Sequence, residues 1–118
     1  MTMGCRVGRG LWHRLWVPVL VGGACVVAPV FEEFLFRGHI QTFLARAFGR
    51  TLILTWLAVI ITSMIFAGVH PLWSAPLIFL LSLCLGYAYE RTGNLWVPIF
   101  IHASFNTLET VVFLHTLK

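Results

Sequence analysis

Aspartate is missing from this chain of 118 residues, and charge of either sign is scarce. Four acidic and eight basic residues make up 10% of the sequence, where a soluble domain carries roughly a quarter. Hydrophobic residues make up 59%, and the mean hydropathy is +0.91. This balance excludes an ordinary water-soluble domain and points to lipid as the solvent. Cysteine is sparse too. Cys5, Cys25 and Cys84 form no CxxC pair, which excludes a zinc knuckle and a disulfide framework. They read as small residues that tolerate apolar surroundings. The formal charge of +4 comes with no basic stripe interleaved with aromatics, so nucleic acid is excluded as a partner.

What the chain does have is long hydrophobic runs, at 15–36, 51–69, 75–89 and 95–115. A spanning helix needs roughly 17–25 mainly apolar residues. The first, second and fourth runs meet that. The third is short, and spans only where the bilayer thins or neighbours shield its ends. The basic N-terminus ahead of the first run has the look of a signal peptide. The apolar character continues through Phe34, Leu35 and Phe36, however, so a retained span is expected. Arg6, Arg9 and Arg14 on one side of it, and Arg46 and Arg50 on the other, read as membrane-flanking anchors that leave orientation open. Trp12, Trp16, Trp73 and Trp96 lie near predicted span ends, where interfacial aromatics belong.

Residues 38–50 carry a different pattern. Ile40, Phe43, Leu44 and Ala47 fall at i, i+3, i+4 and i+7, which predicts a short amphipathic helix on the membrane surface, stopped near Gly49. "HPLWSAP" (70–76) and "ERTGNLWVP" (90–98) carry the prolines and glycine of connectors. The expectation is an all-α, multi-pass membrane helix bundle of four transmembrane helices plus that surface helix. Residues 1–14 form an N-terminal flank and 15–118 one domain. Strands are excluded because an open sheet edge cannot be satisfied in lipid.

The functional information lies in a few polar groups inside the spans. "VFEEFLFRGH" (30–39) holds Glu32, Glu33 and Arg37, and an ionised group at the bilayer centre costs roughly 2.5–3.5 kcal/mol on insertion scales. Glu33 and Arg37 are i,i+4 and can pair on a helix. Glu32, about 100° round the axis, is then left for chemistry. The alternative is that all three sit on a solvated helix end. "FAGVH" (66–70) places Phe66 one turn before His70, which by itself reads as a capping or interfacial histidine rather than a catalyst. "HASFN" (102–106) puts His102 and Asn106 on one face of the fourth span, as interhelical glue or as a site. Glu109 extends that stripe into the same cavity or, as the preferred place, to the far interface. Carboxylates, an imidazole, and an imidazole with an amide, on three helices, suffice for water activation and oxyanion stabilisation.

These stretches carry a resemblance. "EEFLFR", "FAGVH" and "HASFN" are similar to the EExxxR, FxxxH and HxxxN motifs, in that order, of the CAAX protease and bacteriocin-processing (CPBP, or Abi) family of intramembrane proteases. "APVFEEFLFRG" and "TGNLWVPIFIHASFN" resemble the family's phrasing, over about residues 28–107. The resemblance implies an intramembrane endopeptidase that hydrolyses a peptide bond at or near the membrane surface. Its substrate would be a peptide or a lipidated protein, and its setting a prokaryotic plasma membrane. By position, Glu32 would be the general base, His70 its assistant, and His102 and Asn106 the groups that hold the oxyanion. Glu33, Arg37 and Phe66 would support them. A metal-free mechanism is preferred; zinc on Glu32, His70 and His102 is the alternative. Members of the family usually carry further helices before the first motif, so a minimal or truncated domain, completed by partner helices or an oligomer, is expected. The competing reading is a non-catalytic immunity or scaffolding protein on the same fold.

Overall fold

A computed structural model describes the backbone of residues 3–118 and the side chains of residues 10–118. Arg6, Arg9 and Cys5 fall outside the described side chains.

The helices are α1 (Met3–Gly22), α2 (Ala28–Leu35), α3 (Thr42–Phe48), α4 (Leu52–Gly68), α5 (Ala75–Thr92) and α6 (Trp96–Thr116). Two wider π-helical segments, Gly23–Val27 and Phe36–Gln41, join α1 to α2 and α2 to α3 without a break. Gly10–Phe48 is therefore one apolar rod of 39 residues. At 1.5 Å per residue it is about 58 Å long. The chain is an all-α membrane protein, with no strand among the described residues. Gly10–Phe48 and Trp96–Thr116 are long and apolar enough to cross a bilayer, and Leu52–Gly68 is a shorter apolar helix.

The joints follow from sequence. Pro29 has no amide hydrogen, and its ring crowds the carbonyl four residues back. Opening the turn just before it relieves the clash, and Ala28 N–H accordingly reaches Gly23, five residues back. Gly49 ends α3 with φ 101°, a left-handed conformation that glycine adopts without a Cβ penalty. Thr51 starts α4 by accepting the Leu54 amide on its side chain. Gly93 ends α5 in the left-handed region as well.

Segment 38–50 differs from the expectation of a separate surface helix. It continues the first rod, and its buried face is Gln41 and Ala45, while Phe43 is 70% exposed. The physical reason is the second π segment. Over the 12 residues from Glu33 to Ala45 an ideal α-helix drifts about 120°. The wider turn takes up that drift, so Glu33, Arg37, Gln41 and Ala45 are all buried along one seam. Of the stripe read at 3.6 residues per turn, Ile40 packs against the core and Leu44 is half-buried, while Phe43 and Ala47 are exposed.

Small residues let the rods close on this seam, as is common between membrane helices. Gly86 on α5 faces Val59 and Gln41. A Cβ there would lie 2.7 Å from Val59 Cγ1 and 2.8 Å from Gln41 Oε1. Gln41 Nε2 donates to the Gly86 carbonyl at 3.2 Å across the same contact. Gly86→Ala is expected to destabilise the fold by about 1–3 kcal/mol through overpacking, measured as a lowered midpoint of thermal unfolding in detergent micelles.

Candidate active site

Arg37 is fully buried, as are Glu33 and Ser82. A guanidinium there must be paired and hydrogen-bonded. Its Nη2 donates to Ser82 Oγ at 2.6 Å and to the Ser82 carbonyl at 2.7 Å. Nη1 donates to Glu33 Oε1 at 3.3 Å, and Nε approaches Oε2 at 3.3 Å. That second approach is an ion contact without hydrogen-bond alignment, so both atoms lack hydrogen-bond partners. The Phe66 ring lies 5.0 Å from the guanidinium carbon, adding a cation–π contact from α4. One arginine thus ties α2, α4 and α5 together.

Glu33 passes the constraint on. His102 Nδ1 lies 2.8 Å from Glu33 Oε1. An ionised carboxylate only accepts, so Nδ1 carries the proton. The ring packs edge-on to Phe66 at 5.7 Å. This turns Nε2 toward Glu32, whose Oε2 is 3.5 Å away. His70 is oriented the same way: its Nδ1 donates to the Phe66 carbonyl at 2.7 Å, and its ring lies 4.7 Å from that of Phe66. In the neutral tautomer the other nitrogen is then the basic one.

Asn106 is held by the first π segment. There the carbonyl of Ala24 would be served by the amide of residue 29, five positions on, but that residue is Pro29. Asn106 Nδ2 donates to the Ala24 carbonyl at 3.0 Å instead. The proline that opens the turn also orphans the oxygen that anchors Asn106. Cys25 and Thr110 meet beside it at 3.8 Å.

Glu32, His70, His102 and Asn106 line one cavity of about 270 Å³ with Ala24, Trp73 and Glu109. It opens beside the α4–α5 connector. Glu109, for which the interface was preferred, is exposed but borders this cavity. Two carboxylates and no lysine or arginine line it. Glu33, Arg37 and Phe66 stand behind the wall rather than on it. Among the described residues no group of three or more His, Cys, Asp or Glu gathers to hold a metal ion; of the zinc set, His102 gives Nδ1 to Glu33 and turns Nε2 to Glu32.

Sequence reasoning missed Ser82, although a lone hydroxyl in the run "FLLSLCLG" is a legible signal for an interhelical bond. Ala24 contributes only its carbonyl, and no residue type reveals that.

The family described as "Type II CAAX prenyl endopeptidase Rce1-like" matches residues 12–108. The chain belongs to this family. It is 30% identical over 103 residues to "Putative membrane peptidase YdiL" of Bacillus subtilis, covering 86% of this chain and 40% of that one. It is also similar to an "Uncharacterized 24.3 kDa protein" of Escherichia coli, 32% identical over 70% of this chain and 39% of that one. "Uncharacterized protein YpbD" of Bacillus subtilis is 34% identical over 80% of this chain and 42% of the relative. The chain thus spans about two-fifths of the length of these relatives. No solved structure matches it.

Two outcomes test this geometry. Arg37→Gln leaves Glu33 buried without its charge partner and is expected to cost about 3–5 kcal/mol, against about 1–3 kcal/mol for Ser82→Ala; unfolding in micelles reads both. Pro29→Ala supplies the missing amide, which competes with Asn106 for the Ala24 carbonyl. Only Asn94 and Asn106 are asparagines, so selective ¹⁵N-asparagine labelling gives two side-chain amide signals. The Asn106 signal is expected to shift and its hydrogen exchange to rise, with Asn94 unchanged.

Proposed function

We propose that the chain is an intramembrane endopeptidase that hydrolyses a peptide bond at or near the membrane surface. The observation that carries this reading is the single cavity bordered by Glu32, His70, His102 and Asn106, drawn from three separate rods. Membership of a CAAX-type endopeptidase family supports it.

Glu32 is the general base. It takes a proton from a water in the cavity, and the resulting nucleophile attacks the scissile carbonyl. Negative charge then develops on the carbonyl oxygen. A second Asn106 N–H, beyond the one given to Ala24, is available to that oxygen, and a protonated His102 offers its Nε2–H. His70 takes or returns the proton needed by the leaving amine. Collapse of the tetrahedral species breaks the C–N bond and leaves a carboxylate and an amine. Glu33 and Arg37 act through position: they fix the His102 ring and leave the cavity to Glu32.

The substrate is a peptide or a lipidated protein that reaches the cavity from the membrane surface. The protein is multi-pass and resides in the plasma membrane of a prokaryote, in keeping with its bacterial relatives. Further helices, from a partner or a second copy, complete the bundle around the exposed first rod.

Glu32→Gln in reconstituted protein is expected to lower turnover of a cleaved peptide by about 10²–10⁴-fold, with the unfolding midpoint and peptide affinity retained. Cleavage at the wild-type rate would remove this mechanism. Binding without turnover in the wild type, with bound metal absent by elemental analysis, would favour the non-catalytic scaffolding alternative.

A further inference from the structure

A second cavity, of about 390 Å³, opens at the other end of α4 from the candidate site. It is lined by Arg50, Leu52, Thr55, Trp56, Val59, Tyr87, Glu90 and Arg91, so it lies between the start of α4 and the end of α5. The reading of the candidate site uses none of these residues. The 17 residues of α4, about 25 Å long, separate Arg50 at one cavity from His70 at the other.

The lining is sorted by chemistry. Arg50 stands just before α4 and Arg91 in the last turn of α5. Trp56 and Tyr87 stack at 5.7 Å with planes 18° apart, and with Val59 they form an apolar floor. Arg50 Nη2 lies 3.7 Å from Glu90 Oε2, a contact too long for a hydrogen bond, and its side chain is 53% exposed. Most of its five donors are therefore uncommitted. Arg91 is exposed and has no carboxylate within ion-pair distance among the described residues. Two arginines against one glutamate leave a single positive charge.

The site is also built from behind. Gln41, fully buried, donates from Nε2 to Glu90 Oε1 at 2.9 Å. This fixes the carboxylate that Arg50 approaches. Arg50 itself has φ 54°, a left-handed conformation that costs a residue with a Cβ roughly 1–2 kcal/mol relative to the usual region. Its amide donates to the Ala45 carbonyl at 3.0 Å. The turn therefore fixes the backbone from which the Arg50 side chain reaches the cavity lining.

We infer that this cavity binds the phosphodiester headgroup of a membrane phospholipid. Arg50 and Arg91 hold the phosphate, and the acyl chain leaves along Trp56, Tyr87 and Val59. The one net positive charge matches one phosphodiester, and the stacked Trp56–Tyr87 pair offers an apolar surface beside it. Glu90, held by Gln41, excludes a second anionic headgroup by repulsion.

The test uses the intact chain in mild detergent and native mass spectrometry. Phosphatidylglycerol, phosphatidylethanolamine, diacylglycerol and inorganic phosphate are titrated separately. One phospholipid per chain is expected to survive detergent removal, and Arg50→Gln/Arg91→Gln is expected to weaken its binding at least tenfold. Arg91→Gln alone leaves the Glu90–Gln41 contact intact and is expected to weaken binding at least threefold with an unchanged unfolding midpoint. Arg46→Gln, an exposed position outside the lining, is expected to change nothing. Retention by the folded Arg91→Gln variant at the wild-type level would overturn the proposal. So would equal binding of diacylglycerol, which lacks the phosphate, or binding of inorganic phosphate as tight as that of the phospholipids.

Discussion

A guanidinium that no water reaches must find its partners inside the protein, and Arg37 draws them from three helices. Ser82 supplies a hydroxyl and a carbonyl from α5, Glu33 a carboxylate from the preceding turn, and Phe66 a ring face from α4. Taking such a charge out of water is costly, so the arrangement is tolerated only when all of these are in place together. That makes the ion pair a register device. If α5 slides, Ser82 is lost; if the rod rotates, Glu33 is.

The same interaction sets the candidate site at one remove. Glu33 spends one oxygen on both Arg37 and His102, and so orients the imidazole while staying out of the cavity. Adjacent glutamates therefore have separate surroundings: Glu33 is buried in a charged network, whereas Glu32 faces the cavity with a side chain 30% exposed. Polar groups left in apolar surroundings interact at low effective dielectric, where misplacement is expensive. The packing of Phe66 against Arg37, His70 and His102 joins the pieces into one body.

One proline and two wide turns show how local chemistry shapes the rod. Pro29 forces a π turn and leaves one carbonyl without an amide, and a side chain from α6 fills the vacancy. The second wide turn rephases the rod so that Arg37 and Gln41 share a face with Glu33. Gln41 then links the site's seam to Glu90 near the opposite end of α4. Buried Gln41 Oε1, and Thr62 Oγ1 and Ser63 Oγ on α4, have no hydrogen-bond partner.

Much of this was legible in the chain. Apolar runs bounded α4, α5 and α6 to within a few residues, because only a continuous helix satisfies the backbone in lipid, while the first rod continues 12 residues past its run, to Phe48. The i,i+4 spacing of Glu33 and Arg37, and of His102 and Asn106, already put each pair on one helix face. The surface helix at 38–50 was misjudged because hydrophobic periodicity assumes 3.6 residues per turn, and a π segment breaks that assumption without changing the residue types. Tertiary structure alone decided that Ser82 completes the Arg37 network, that Ala24 anchors Asn106, and that Glu109 borders the cavity. Those facts depend on how separate rods are rotated and offset, and a sequence specifies that only through packing that no local window contains.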